Sequence, residues 1–289
     1  PSIRGDVNAD CKVTLADVIA LVNYLFKQVP IQGCPEWGEP LNMGSPPNEI
    51  GVAEYNPTIT SNGLTLFFAK PTSPSGLEDI FYSYWNGSAW SEPVKLNNNI
   101  NSSSVEQDPS ISADGKKLYF SAYDWPGGYG LRDIWVSEWD TTMNDWGPAT
   151  NLGPNINTGG REEDPSISAD GMTLYFVSDS LSGQGIYRSG WTGSEWGPAV
   201  YFSEKVNAGY SLAPSISSDG LTLYQSKGTI FGMKAFVSFW DGSDWTQAES
   251  LLIANEGGTV AGPQVSFDGR RLFFYSSREG DTDLWIIAR

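Results

Sequence analysis

Pro109-Ser-Ile-Ser-Ala-Asp-Gly-Lys-Lys-Leu-Tyr-Phe120 decides how the rest of this chain is read. A short alternating segment, an Asp-Gly turn and a second alternating segment ending in aromatics make a β-hairpin. The same pattern begins at Pro57, Pro165, Pro214 and Pro263, so the successive spacings are 52, 56, 49 and 49 residues. A period near 50 residues with this content is that of a repeat architecture in which each unit is one small sheet.

Outward from each hairpin, a variable loop leads to a third aromatic strand: Ile80-Phe-Tyr82, Ile134-Trp-Val136, Ile186-Tyr187, Ala235-Phe-Val237 and Leu284-Trp-Ile286. A second hairpin then leads to a fourth strand, marked by Trp85 to Trp90, Trp139 to Trp146, Trp191 to Trp196 and Trp240 to Trp245. Four antiparallel strands per unit describe a propeller blade, and five units predict an all-β, five-bladed β-propeller. The fifth unit reaches Arg289 after its third strand. Trp37-Gly-Glu-Pro-Leu-Asn-Met-Gly44 matches Trp146-Gly-Pro-Ala-Thr-Asn-Leu-Gly153, so residues 34–50 are expected to supply the outer strand of the last blade. That closure leaves no open sheet edge. The propeller is therefore assigned to residues 34–289 and a small appendage to residues 1–33.

Composition agrees with many short strands. Of the 289 residues, 38 are aromatic, 32 are glycine and 18 are proline, residues that suit half-buried pleats and tight turns. Thirty-four acidic residues against 17 basic ones give a formal charge of −17; such a surface repels polyanions, so nucleic acid is not an expected partner. The absence of histidine excludes Ser-His-Asp catalysis and His-ligated zinc, leaving hard cations held by oxygen. No apolar run is long enough for membrane insertion, and Pro1 does not open a signal peptide.

The repeats resemble the TolB-type, WD-like propeller repeats of bacterial envelope and secreted proteins, in which Pro-Ser-Ile-Ser-x-Asp-Gly-x-x-Leu-Tyr-Phe is followed by Asp-Ile-Trp. The resemblance covers residues 36 to 289 and implies the fold and a binding habit; an extracellular or bacterial cell-surface location is expected from the acidic, calcium-type character of the chain. The resemblance does not imply one activity.

In the appendage, Asp6, Asn8, Asp10, Lys12 (through its carbonyl), Thr14 and Asp17 have the spacing of an EF-hand-like calcium loop. Leu15 to Lys27 reads as the helix that follows, with Val18, Leu21, Val22 and Leu25 on one face. The segment resembles one half of a dockerin, with Cys11 where glycine is usual and only one of the two dockerin repeats present. Ca2+ is thus the one expected cofactor. Cys11 and Cys34 flank the helix; they are read as a disulfide, the alternative being two buried free thiols.

Eleven of the twelve tryptophans occupy repeat positions and read as packing; Trp125 alone sits in an unrepeated loop, with Tyr129 and Asp133 close behind. The end of the propeller that carries this loop also gathers Glu54, Asp108, Glu163 and Asp164 before the first strands, and Asp79, Asp133 and Asp283 before the third strands. Trp125, Tyr129, Asp133, Asp108, Asp164, Asp79 and Asp283 are therefore the candidate ligand contacts for a protein or glycan. The competing reading has these aspartates bonding backbone amides and Trp125 covering its loop. A calcium-stabilised binding or scaffold module is the expected function. The alternatives are a self-assembling extracellular homopolymer, in which the N-terminal strand completes a neighbour's ring, and a glycoside hydrolase. Because the carboxylates recur at equivalent positions in several blades, whereas catalysis needs unlike ones, the sequence reading is that the protein is not an enzyme.

Overall fold

In the computed structural model, residues 37–289 are described, save 73–75, 182, 229–231, 253 and 256. The expected calcium loop, its helix and the Cys11–Cys34 pair lie outside the described residues.

The Ser-x-Asp-Gly signature builds its turn through side-chain hydrogen bonds to the local backbone. Ser112 Oγ donates to Asp114 Oδ1 (2.6 Å), the Lys116 amide donates to the same carboxylate oxygen (3.0 Å), and the Lys117 amide donates to Ser112 Oγ (2.9 Å). Gly115 takes φ +71°, which a Cβ would disfavour. Ser168/Asp170, Ser217/Asp219 and Ser266/Asp268 repeat the arrangement. These bonds hold the Asp114 and Asp170 carboxyls below their ordinary range.

The strands form five antiparallel sheets. Blade one comprises Tyr55–Ile59, Thr65–Pro71, Glu78–Tyr84 and Val94–Lys95. Blade two comprises Glu106–Ile111, Lys117–Tyr123, Arg132–Asp140 and Thr150–Asn151, with Asp145–Trp146 paired on its third strand. Blade three comprises Glu162–Ile167, Thr173–Ser178, Gly185–Gly190 and Val200–Tyr201, and blade four Ser211–Ile216, Thr222–Lys227, Lys234–Phe239 and Glu249–Ser250. Blade five comprises Val260–Val265, Arg271–Ser276 and Asp283–Ala288, and its outer strand is Leu41–Asn42, with Leu41 opposite Ile286 and Asn42 opposite Trp285. The ring is an all-β, five-bladed propeller closed by an N-terminal strand.

One detail departs from the sequence reading. The outer strands do not begin at the tryptophans of the second hairpin; in each blade the paired residues start four positions later. The tryptophans instead close the hairpin tips, as Trp85 with Trp90, Trp191 with Trp196 and Trp240 with Trp245. In four blades a proline stands one position (Pro40, Pro93) or two positions (Pro148, Pro198) before the paired residues. Having no N–H, it cannot extend the ladder backward.

Two devices lock the sheets. The serine or threonine of Pro-x-Ile reaches the next blade: Thr58 Oγ1 accepts from the Ile111 amide, Ser110 Oγ from Ile167, Ser166 Oγ from Ile216 and Ser215 Oγ from Val265 (3.0–3.5 Å). Asn48, Asn101, Asn157, Asn207 and Asn255 each clamp the backbone N–H and C=O of one third-strand residue: Leu284, Ile80, Ile134, Ile186 and Ala235. Phe68, Phe120, Phe176 and Phe274 are fully buried at one equivalent second-strand position; Gln225 takes it in blade four.

Trp37, Gly38 and Arg289 belong to a unit separate from residues 39–288. Within it the Arg289 guanidinium lies 4.5 Å over the Trp37 ring.

Candidate functional site at the axial mouth

Every first strand carries a register shift just ahead of its proline. At each shift one residue has positive φ: Asn56 (48°), Asp108 (56°), Asp164 (53°), Ala213 (47°) and Gly262 (59°). Such bulges bend a strand and re-aim a side chain. Here they set five equivalent residues around a mouth of about 30 Å³ on the propeller axis, room for a water or an ammonium head rather than a sugar ring.

The ring is held by short-range bonds. Asn56 Nδ2 donates to Asp108 Oδ1, and Ser121 Oγ donates to Asp108 Oδ2 (2.5 Å). The Asp164 amide approaches the same oxygen at 3.4 Å, and the Ala213 amide donates to Asp164 Oδ2 at 2.9 Å. Beyond them, Arg132 Nη1 lies 2.8 Å from Glu163 Oε2 and 3.9 Å from Asp108 Oδ2, while Gln107 Nε2 donates to Glu78 Oε2. Four carboxyl groups, of Glu78, Asp108, Glu163 and Asp164, thus share the neighbourhood of Arg132.

Electrostatics divides this group. Desolvation, then the charges of Asp108 and Glu163, push the Asp164 carboxyl well above its usual range. Desolvation likewise raises Glu163, with Asp108 adding to it and Arg132 opposing, and raises Glu78 against the hydrogen bond from Gln107. For Arg132, burial pulls the pKa down, but Asp108, Glu163 and Asp164 together outweigh it and the guanidinium is held charged. The Tyr275 hydroxyl is raised by burial and by Asp164 and Asp108.

Of the seven expected ligand contacts, Asp108 and Asp164 converge on the axis. Asp79, Asp133 and Asp283 instead tie third strands to outer-strand side chains within their own blades: Asp79 to Lys95 (2.7 Å), Asp133 to Asn151 (3.2 Å) and Asp283 to Asn42 (2.7 Å). Asp133 also accepts from the Tyr129 amide (2.6 Å). Trp125 packs edge-on against Trp135 (4.8 Å) and Phe120 (5.7 Å), and Tyr129 is exposed. Glu54 is buried and accepts from the Glu49 amide (3.1 Å). Asn56, Glu78, Gln107, Arg132 and Tyr275 were not anticipated. A signal for the axial residues existed in the dipeptides before each repeat proline (Tyr55-Asn56, Gln107-Asp108, Glu163-Asp164, Leu212-Ala213 and Ala261-Gly262), which differ where the repeat otherwise agrees. Among the described residues no three or more acidic or cysteine side chains gather as a metal site.

No protein-family model matches this chain, and no curated protein does. Solved structures do. The chain is similar to a putative TolB from Agrobacterium tumefaciens (16% identity, 84% of this chain and 79% of that one, TM-score 0.53). It is similar also to the native arabinanase of Bacillus subtilis (16%, 82% and 95%, TM-score 0.54) and to the α-L-arabinofuranosidase catalytic domain of Coprinopsis cinerea (11%, 87% and 96%, TM-score 0.54). At these identities the likeness is one of fold.

The comparison corrects the expectation that the chain is not an enzyme, because proteins named for glycosidic hydrolysis share its architecture. The physical premise fails as well. The axial carboxyls do not sit in five equivalent environments: only two blades supply one, and Asp164 is desolvated and pushed toward its neutral form while Asp108 accepts hydrogen bonds from Asn56 and Ser121.

Proposed function

We propose that this chain is an extracytoplasmic binding module whose acidic axial mouth receives a cationic side chain of a protein partner. The observation that carries this reading is the pairing of size with charge: Asp108 and Asp164 line a mouth of about 30 Å³, with Glu78, Glu163 and Arg132 behind them. An ammonium or guanidinium head fits that volume and that sign, and the net charge of −17 steers cations toward it. No helix among the described residues is long and apolar enough to cross a membrane. The extracytoplasmic location rests on the expected calcium loop and Cys11–Cys34 pair.

Isothermal titration with blocked lysine- and arginine-containing tripeptides tests the proposal. Binding should weaken as salt is raised and fall by about tenfold or more in Asp108→Asn/Asp164→Asn. No binding, or binding indifferent to both changes, overturns it.

A second reading has its own observation: an arabinanase and an α-L-arabinofuranosidase share the fold. Under this reading arabinan incubated with the protein releases reducing sugar, and boiled protein releases none.

A further inference from the structure

A second cavity is not on the axis. It is a groove of about 600 Å³ between the outer strands of blade two and the second hairpin of blade three, a volume in the usual range of small-molecule sites. The neighbouring blades fill the equivalent junction with a long side chain, whereas blade two, like blade four with Val237, has a valine there. Across each sheet, a second-strand aromatic, a third-strand residue and an outer-strand residue stand side by side. In blade one these are Phe67, Tyr82 and Val94, and in blade three Tyr175, Arg188 and Val200. Tyr82 packs at 6.2 Å from Phe67, and Arg188 lies 5.6 Å over Phe202, so both junctions are filled by a long side chain. In blade two the row is Tyr119, Val136 and Thr150. Valine and threonine are too short to fill the space.

The groove is walled by chemistry that suits a sugar. Trp139 and Trp191 line it half-buried, and each is braced edge-on by a buried tryptophan, Trp146 at 5.5 Å and Trp196 at 5.3 Å. Such indoles are held rigid, so little side-chain entropy is lost when a ligand lies on them. Around them stand hydrogen-bonding groups, including the exposed Lys117–Glu138 ion pair (3.0 Å) and Thr150. An apolar ligand would leave these polar groups unpaired, and a polyanion would meet Glu138, Asp140 and Glu195. A neutral polyhydroxylated ring has an apolar face for the indoles and hydroxyls for the rim.

We infer that the groove between blades two and three is a saccharide-binding site that takes a short neutral oligosaccharide against Trp139 and Trp191. It lies apart from the axial mouth and does not depend on the function proposed there.

The test is titration of the whole chain with xylotetraose, cellotetraose and arabinotetraose, followed by tryptophan fluorescence and calorimetry. At least one should bind. Val136→Tyr restores the residue that blade one uses and fills the groove without removing a structural contact; it should weaken binding by about tenfold or more, as should Trp191→Ala. The melting temperature of Val136→Tyr reports whether the fold is kept. Leu252→Ala, exposed on blade four and outside both sites, should leave affinity unchanged. Failure of all three sugars to bind overturns the inference, as does binding that survives Val136→Tyr in a folded protein or is lost in Leu252→Ala.

Discussion

Three consecutive blades place Asn56, Asp108 and Asp164 on the axis; the next two place Ala213 and Gly262 there. All five residues sit at the same bulge with the same sign of φ, so the backbone does not distinguish the halves. Side chains do. The polar half has Arg132, Glu163 and Glu78 around it, whereas Ala213 and Gly262 bring no charge of their own. The asparagine clamp is repeated in all five blades, and what can bind is confined to some of them. The same lesson applies at the rim, where Val136 opens one junction that its counterparts Tyr82 and Arg188 fill.

Both halves exist only in a closed ring, and closure happens in the bare half, at blade five. Removing residues 1–45 deletes the Leu41–Asn42 strand, the Asn42 to Asp283 bond (2.7 Å) and the bond from the Met43 amide to the Leu284 carbonyl (3.0 Å). It exposes the Asp283–Ala288 strand as an edge. This truncation should unfold or oligomerise the propeller, whereas removing residues 1–30 should leave it monomeric with a cooperative melt. Size-exclusion chromatography and thermal denaturation separate the outcomes; a folded monomer without residues 1–45 would show that the strand is dispensable.

A repeated acid also differs between blades, one step out from the axis. Glu54, Glu106 and Glu162 occupy equivalent positions, each bonded to the loop before it. Ser102 gives Glu106 an amide and a hydroxyl, and Thr158 does the same for Glu162. Glu54 receives only the Glu49 amide, and its Oε2 is buried without a hydrogen-bond partner. Desolvation pushes its pKa up to about 8, with the Glu49 amide opposing and Asp283 adding. A carboxyl that binds its proton more tightly folded than unfolded stabilises the fold at low pH, and this contribution is lost as pH rises from about 4 toward 8. Glu54→Gln should remove that loss, so the variant should gain on the wild type by a few kcal/mol at most between pH 5 and 9. Chemical denaturation across this range measures it; parallel pH profiles would contradict the assignment.

Much of this was legible in the sequence, and the rest was hidden for definite reasons. The blades and their number follow from Pro-Ser-Ile-Ser-x-Asp-Gly, because that motif is itself the turn and the inter-blade bond, and the N-terminal closure follows from the match of Trp37–Gly44 to Trp146–Gly153. Asp108 and Asp164 were legible as candidates, being charges beside a repeat proline. Asp79, Asp133 and Asp283 were equally visible, but their partners Lys95, Asn151 and Asn42 lie on outer strands, and only the pairing register shows that these aspartates are occupied. Arg132 is separated by 24 residues from Asp108 and by 31 from Glu163, so its place between them depends on how two blades meet. The asparagine clamps were present as a repeat all along. Their loops vary too much in sequence to announce it.

The smallest expected effect isolates the bulge itself. Ala213 and Gly262 are the two bare positions, with φ of 47° and 59°, and L side chains pay for that region with about 1–2 kcal/mol. Ala213 bears the strain already. Gly262 does not, and a Cβ there would meet Asn56 Oδ1 at 2.8 Å and the Tyr275 ring at 2.9 Å. Gly262→Ala should therefore destabilise the fold by about 2–3 kcal/mol, the backbone strain plus the displacement of Asn56 from its bond to Asp108. Ala213→Gly relieves strain but returns conformational entropy to the unfolded chain, about 0.4–1 kcal/mol in the opposite direction. Its net effect should be a gain of less than about 1 kcal/mol, read as a rise of a few degrees or less in Tm. If Gly262→Ala proves as mild as Ala213→Gly, the bare half of the ring tolerates side chains freely, and its lack of charge is no constraint of the backbone.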